Sequence, residues 1–109
     1  MSYKLSLTTK FQRDAKKLLK KYPSFKNDLD TIFSQIKGEP TSGISIGKSC
    51  YKVRVKISAK NKGKSGGGRL ITYVHFSGEE VYLLTIYDKS EKENITDAEL
   101  NALLSEIDY

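Results

Sequence analysis

Leu70-Ile71-Thr72-Tyr73-Val74-His75-Phe76-Ser77-Gly78-Glu79-Glu80-Val81-Tyr82-Leu83-Leu84-Thr85-Ile86-Tyr87 decides the fold. Two runs rich in β-branched and aromatic residues flank Ser77-Gly78-Glu79, whose composition is that of a tight turn, so the stretch reads as a β-hairpin. The second run, Glu80 to Tyr87, is apolar on both faces. Such a strand lies inside a sheet, with material packed on each side of it.

Upstream, Cys50 to Ser58 alternates cleanly. Tyr51, Val53, Val55 and Ile57 make one face, and Lys52, Arg54 and Lys56 the other, as a half-buried strand requires. Ser58 to Gly68 is a basic, glycine-rich connection, and residues 38–49 have loop composition. Tyr3 to Leu7 alternates as a short strand. Thr9 with Gln12 fits a capping box that opens a helix, whose apolar positions are Phe11, Ala15, Leu18, Leu19 and Tyr22 and which Pro23 ends. Ser24 fits the N-cap of a second helix with Phe25, Leu29, Ile32, Phe33 and Ile36 on one face and Gly38 at its C′ position. The short link makes the two an antiparallel helical hairpin. Downstream of the quoted stretch, Asp88 to Asn94 is polar. Thr96 and Glu99 form a second capping box, ahead of a helix with Leu100, Leu103, Leu104 and Ile107 on its buried stripe. The expected fold is α+β: an antiparallel or mixed four-stranded sheet in the order β-α-α-β-β-β-α, with the N-terminal helical hairpin on one face, as one domain over 1–109.

Composition narrows the function. The chain has 109 residues, 38% hydrophobic, enough for a modest core and too much for a disordered chain. No apolar run approaches the roughly 20 residues of a membrane helix. The N-terminus lacks the apolar stretch of a signal peptide, so the expectation is a cytoplasmic protein without membrane contact. One cysteine, Cys50, rules out an internal disulfide framework. One cysteine and one histidine leave too few ligands for structural zinc, and no carboxylate cluster suits Mg²⁺ or Ca²⁺. No metal and no cofactor are expected.

The net charge of +6 hides a division. Residues 1–76 hold 17 Lys and Arg against 4 Asp and Glu, a net of +13, and residues 77–109 hold 2 against 9, a net of −7. Between Glu39 and Glu79 there is no acid, and that window carries Lys48, Lys52, Arg54, Lys56, Lys60, Lys62, Lys64 and Arg69. A basic segment without counter-charges is a footprint for a polyanion, since opposite charges intersperse on an ordinary surface.

Several motifs fail on inspection. Gly63-Lys64-Ser65 shares the ending of a phosphate-binding P-loop, but Ser58 stands where the first glycine belongs and a strand follows instead of a helix. A basic hairpin loop is the better reading. His75 is a candidate acid or base, yet no acid flanks it to orient the ring. Cys50 reads as a small hydrophobe at a strand start. The informative group is Lys52, Arg54 and Lys56 at period two, with Arg69 opening the next strand and Lys89 closing the third. Like charges side by side cost stability unless an anion binds, and phosphoryl transfer needs such a cluster. A solvated outer face fits the same alternation equally well.

Three segments are similar to toxins of the RelE/ParE superfamily, known from bacterial type II toxin–antitoxin pairs. They are Cys50-Tyr51-Lys52-Val53-Arg54-Val55, Lys64-Ser65-Gly66-Gly67-Gly68-Arg69-Leu70-Ile71-Thr72-Tyr73, and Leu83-Leu84-Thr85-Ile86-Tyr87-Asp88-Lys89-Ser90-Glu91-Lys92-Glu93-Asn94-Ile95. The glycine-rich entry to Arg69 and the end of the third strand most resemble the HigB branch. The resemblance implies a RelE-like small domain and a ribosome-dependent mRNA endonuclease. Such a toxin cuts without metal, through attack of the mRNA 2′-hydroxyl on the adjacent phosphate. Lys52 and Arg54 match the basic pair that helps to take the proton and hold the phosphate. Arg69 matches the arginine that stabilises the pentacoordinate phosphate. Lys89 falls where the family has a cation that assists charge stabilisation or leaving-group protonation. Lys56, Lys60, Lys62 and Lys64, with Tyr73 and Tyr87, would contact RNA or ribosome, and His75 is a further acid or base candidate. Ile95 stands where RelE places a tyrosine that stacks on the mRNA base, and that duty would move to Tyr87, Tyr73 or His75. The implied partners are the ribosome, its mRNA and a small cognate antitoxin of helix-turn-helix type. The alternatives are a ParE-like toxin that inhibits DNA gyrase without cutting nucleic acid, and an inactive homologue that only binds its antitoxin. ParE-type toxins generally lack the basic cluster, which favours the nuclease.

Overall fold

The computed structural model describes residues 3–60, 67–92 and 94–107. They run β1 (Lys4–Leu7), α1 (Thr9–Lys21), α2 (Phe25–Gly38), β2 (Ile44–Gly47), β3 (Cys50–Val55), a 3-10 turn (Ser58–Lys60), β4 (Gly68–His75), β5 (Glu80–Asp88) and α3 (Asp97–Ser105). The strands form one mixed sheet in the order β1-β5-β4-β3-β2. β1 pairs parallel to β5, and the other neighbours are antiparallel.

The sheet therefore has five strands, one more than expected, and the element order gains a strand between α2 and β3. The extra strand, β2, comes from the stretch whose glycine, serine and proline content reads as loop. It survives as an edge because a two-residue turn, Lys48-Ser49, folds it back on β3 in register Ile44 to Lys52. Both turn residues have positive φ, 57° and 60°. That is the twist an antiparallel hairpin demands, here without glycine.

Two cores sit on opposite faces. On one, the helical hairpin buries Phe11, Leu18, Phe25, Ile32 and Ile36 against Val53, Val55, Leu70, Val74, Val81, Leu83 and Ile86. On the other, Leu100 and Leu103 of α3 cover Cys50, Ile71, Tyr82 and Leu84. Burial of both faces accounts for the apolar character of β5 on each side. The parity of β5 changes midway, since Val81 and Leu83 face the hairpin and so does Ile86. A bulge is the cause: Ile71 pairs with Thr85 and Thr72 with Leu83, leaving Leu84 extra.

The helix ends depart from expectation in detail. Thr8, not Thr9, is the N-cap of α1, its Oγ1 accepting from Phe11 N at 3.2 Å. Thr8 Oγ1 also donates to Leu83 O at 2.9 Å, which fixes the start of α1 beside the bulge. Ser24 makes no capping bond, and Gly38 is the last helical residue of α2 instead of a left-handed C′. The Thr96–Glu99 capping box is present as expected.

Candidate functional site

Register and bulge together assemble the site. Arg54 lies opposite Arg69, and Arg69 opposite Tyr87. One step along, Lys52 lies opposite Ile71. Alternation puts all four residues on the α3 side of the sheet, since Val53, Val55 and Leu70 between them face the hairpin. Tyr87 joins this face only because of the bulge; without it, Tyr87 would share the parity of Val81 and Leu83. Lys89 follows directly, its N–H donating to Gly67 O at 3.0 Å, so the chain entering β4 and the chain leaving β5 are tied together. Close approach there needs glycine: a Cβ on Gly67, which has φ +87°, would sit 2.7 Å from Val55 O, and one on Gly68 2.8 Å from Tyr87 O.

The electrostatics of this row are unbalanced. Arg69 is only 6% exposed. Its guanidinium donates to Gly68 O at 2.9 Å. No ion pair to a carboxylate reaches it among the described residues. A buried cation without a counter-ion is costly, and Arg54 directly across the ladder adds like-charge repulsion. The hydroxyl of Tyr87 is buried beside it with no hydrogen-bond partner among the described residues. Burial pushes the Tyr87 phenol up, against a smaller pull downward from Arg69. Among the described residues, the guanidinium thus has a backbone carbonyl but no carboxylate, and the phenol on the adjacent strand has no acceptor. An anion with several oxygens, such as a phosphate, satisfies both at once.

The other candidates divide. Lys52 is half-buried and donates to Asn94 Oδ1 at 3.3 Å, while Arg54 is exposed. Lys56 is exposed just beyond β3, where it lines a groove with Arg54 and Asp28. Lys60 turns inward instead, its ammonium 2.8 Å from Asp88 Oδ1, with the two side chains 14% and 1% exposed. Lys62 and Lys64 lie outside the described residues. Tyr73 and His75 lie on the same face as Arg69, but four and six residues further along β4, which places His75 about 20 Å away along the strand. Tyr73 packs near Tyr82 with ring centroids 6.0 Å apart, and the His75 ring stacks on Tyr73 and contacts Ser77 Oγ at 3.0 Å. The structure brings together Lys52, Arg54, Arg69 and Tyr87, with Lys89 alongside; it does not bring Tyr73 or His75 to them. Among the described residues, no group of three His, Cys, Asp or Glu side chains is placed to hold a metal ion, and no helix is long and apolar enough to cross a membrane.

Sequence reasoning missed Asp88 and Asn94. Asp88 Oδ1 accepts from Lys60, from Ser90 N at 2.9 Å and from Ser90 Oγ at 2.8 Å, and Tyr22 OH lies 3.4 Å from Oδ2. Burial raises its carboxyl, but the bonds from Lys60 and Ser90 outweigh this and bring it to about 2. The Asp-Lys-Ser spacing is that of an Asx turn, which is the signal that could have found it. Nothing in the sequence marks Asn94, because its contact to Lys52 spans 42 positions.

The fold has relatives of known structure. The chain superposes on a mutant of the E. coli toxin RelE in the free state with a TM-score of 0.62 at 17% identity, covering 98% of this chain and 99% of that one. The intact E. coli RelBE toxin–antitoxin complex gives 0.59 at 17% identity over 78% and 94%. The isolated E. coli RelE toxin gives 0.55 at 16% over 97% and 100%. No family model matches the chain. At these identities the likeness is one of fold, and the fold of this chain is RelE-like.

Proposed function

We propose that the chain is the toxin of a toxin–antitoxin pair and acts as a cytoplasmic, ribosome-dependent mRNA endonuclease, with its finer kinship in the HigB branch. The observation that carries this reading is Arg69: among the described residues, a buried guanidinium without a carboxylate, set between Arg54 and a Tyr87 hydroxyl that has no hydrogen-bond partner. Such a cation is destabilising in the empty protein and becomes favourable when a phosphate arrives. The likeness to RelE and to the RelBE complex supports a toxin held by an antitoxin. The glycine-rich entry to β4 supports the HigB assignment.

In this scheme the mRNA 2′-hydroxyl attacks the adjacent phosphorus, and the bond to the departing 5′-oxygen breaks, leaving a cyclic phosphate and a free 5′-hydroxyl. Lys52 and Arg54 assist removal of the 2′-proton and hold the phosphate. Arg69 stabilises the charge that builds on the non-bridging oxygens, where a preformed low-dielectric donor is worth most. Lys89 stabilises or protonates the leaving oxygen. Exposed Lys56 contacts backbone phosphates, which positions the enzyme without reading sequence. Lys60 serves by fixing the chain that leads to the basic connection.

Primer extension on transcripts after induction tests the reading. New 5′ ends within codons are expected. They should vanish in Arg69→Ala while circular dichroism shows an unchanged fold. Growth arrest with intact transcripts and trapped gyrase–DNA complexes would instead establish the gyrase inhibitor.

A further inference from the structure

β2 stops short of covering β3. Its first residue, Ile44, lies opposite Lys52, so no strand pairs with Arg54 on that side. Val74 N–H donates to Ser49 O at 2.9 Å, so the main-chain groups of Ser49, Tyr51, Val53 and Val55 point to β4 and those of Lys52 and Arg54 point the other way. The Arg54 N–H and C=O therefore face outward, and among the described residues no turn or loop bonds to them. An open edge of this kind is a template for one more strand.

The edge runs beside a groove of about 420 Å³ between β3 and α2. Buried Ile32 and Val55 form its floor. Exposed Asn27 and Gln35, on one face of α2, make one wall, and exposed Arg54 and Lys56 the other. Neither cation is in an ion pair among the described residues. The acid of the groove, Asp28, is already engaged: Oδ1 accepts from Ser58 Oγ at 2.6 Å and Oδ2 from Ser58 N at 2.9 Å. Positive charge is thus in excess. No aromatic ring lines the groove for a base to stack on, and an open main-chain edge is matched by another main chain. Peptide is favoured over RNA.

In an added strand, the residue opposite Arg54 places its side chain on the face of Arg54, and its two neighbours place theirs over Val53, Val55 and Ile32. The fitting pattern is apolar, acidic, apolar. We propose that this groove takes an extended acidic segment of a protein partner as an antiparallel strand on β3, continuing the line of β2, with its carboxylate on Arg54, so that the segment and a nucleic-acid phosphate compete for that guanidinium. The inference rests on the toxin–antitoxin reading for the existence of such a partner and on the endonuclease reading for the competition, but on neither for strand addition itself.

The probe is a short capped peptide alternating valine and glutamate, titrated into the full chain while the amide NMR signals of Ile32, Gln35 and Arg54 are followed. All three should shift, and hydrogen exchange at the Arg54 amide should slow roughly tenfold or more. The same peptide with lysine in place of glutamate should do neither. Methylating the glutamate nitrogens, which point at β3 in the added strand, should weaken binding roughly tenfold, whereas methylating the valine nitrogens should leave it unchanged. No binding, equal binding of the lysine peptide, or indifference to where the methyl groups sit overturns the strand. Oligouridylate RNA that shifts these signals when the peptide does not makes the groove a nucleic-acid track and overturns it too. Bound peptide should also suppress cutting of ribosome-bound mRNA; cutting that continues overturns the competition. If no mRNA is cut even without peptide, yet the strand adds, the endonuclease reading falls and strand addition stands.

Discussion

Tyr87 and Arg69 are neighbours across the ladder, and among the described residues the Tyr87 hydroxyl has no hydrogen-bond partner and the Arg69 guanidinium no carboxylate. An unpaired buried hydroxyl costs about 1–3 kcal/mol relative to its loss. Tyr87→Phe removes that hydroxyl and keeps the ring, so it should stabilise the protein by about 1 kcal/mol, seen as a rise of several degrees in melting temperature. On the proposed endonuclease reading, the same change also removes a donor to the phosphate, and should slow single-turnover mRNA cleavage by roughly 10²-fold. Stability and activity therefore move in opposite directions. A melting temperature that falls would mean the hydroxyl is serving the fold. Cys50 shows the contrast: burial pushes its thiol up to about 11 against a weaker downward pull from Lys48, so it stays protonated and inert as a core residue. That much was legible from one cysteine at a strand start. The unpaired state of Tyr87 was not, because it depends on what two other strands bring beside it.

At the scale of elements, periodicity and breakers found the three helices and four of the strands, because their apolar spacing and caps are local signals. What they missed depends on pairing. β2 has no strong strand signal of its own and exists through its hairpin with β3, while the bulge at Leu84 appears only in the register of β5 against β4. The bulge matters for the candidate site, since it turns Tyr87 to the face that carries Arg69. The basic cluster on β3 was legible by alternation, whereas the separation of His75 and Tyr73 from it follows from strand length. The β2–β3 turn also offers a measurable strain. Ser49 holds φ 60° in a position that favours glycine, at a cost of about 1 kcal/mol. Ser49→Gly should raise the unfolding free energy by about 0.5–1 kcal/mol in denaturant titrations. Its side chain makes no hydrogen bond among the described residues that would be lost, and a decrease in stability would refute a strained turn.

Across the whole molecule, the +13 of residues 1–76 and the −7 of residues 77–109 meet at one buried point, the pair between Lys60 and Asp88. Four pieces of chain converge there: Tyr22 ending α1, Lys60 of the 3-10 turn, Asp88 ending β5, and Ser90 beyond it. The node fixes both ends of the segment that delivers Arg69, so its ionisation couples to the stability of the site and the fold together. The Asp88 carboxyl is brought from an ordinary 3.8 down to about 2. A depressed carboxylate contributes its stabilisation in full above the unfolded value and loses it as pH falls through the folded one, so this share is intact above about pH 4 and fades toward pH 2. Asp88→Asn leaves the Lys60 ammonium buried without its partner, and should cost about 3 kcal/mol at pH 7. Because protonation of wild-type Asp88 produces nearly the same neutral group, the stability difference between wild type and Asp88→Asn should shrink steadily between pH 4 and pH 2. Denaturant titrations of both proteins at pH 7, 4, 3 and 2.5 measure this directly. A difference that stays constant with pH would show that Asp88 acts through shape alone, and that the two charge blocks of the chain are not joined at this pair.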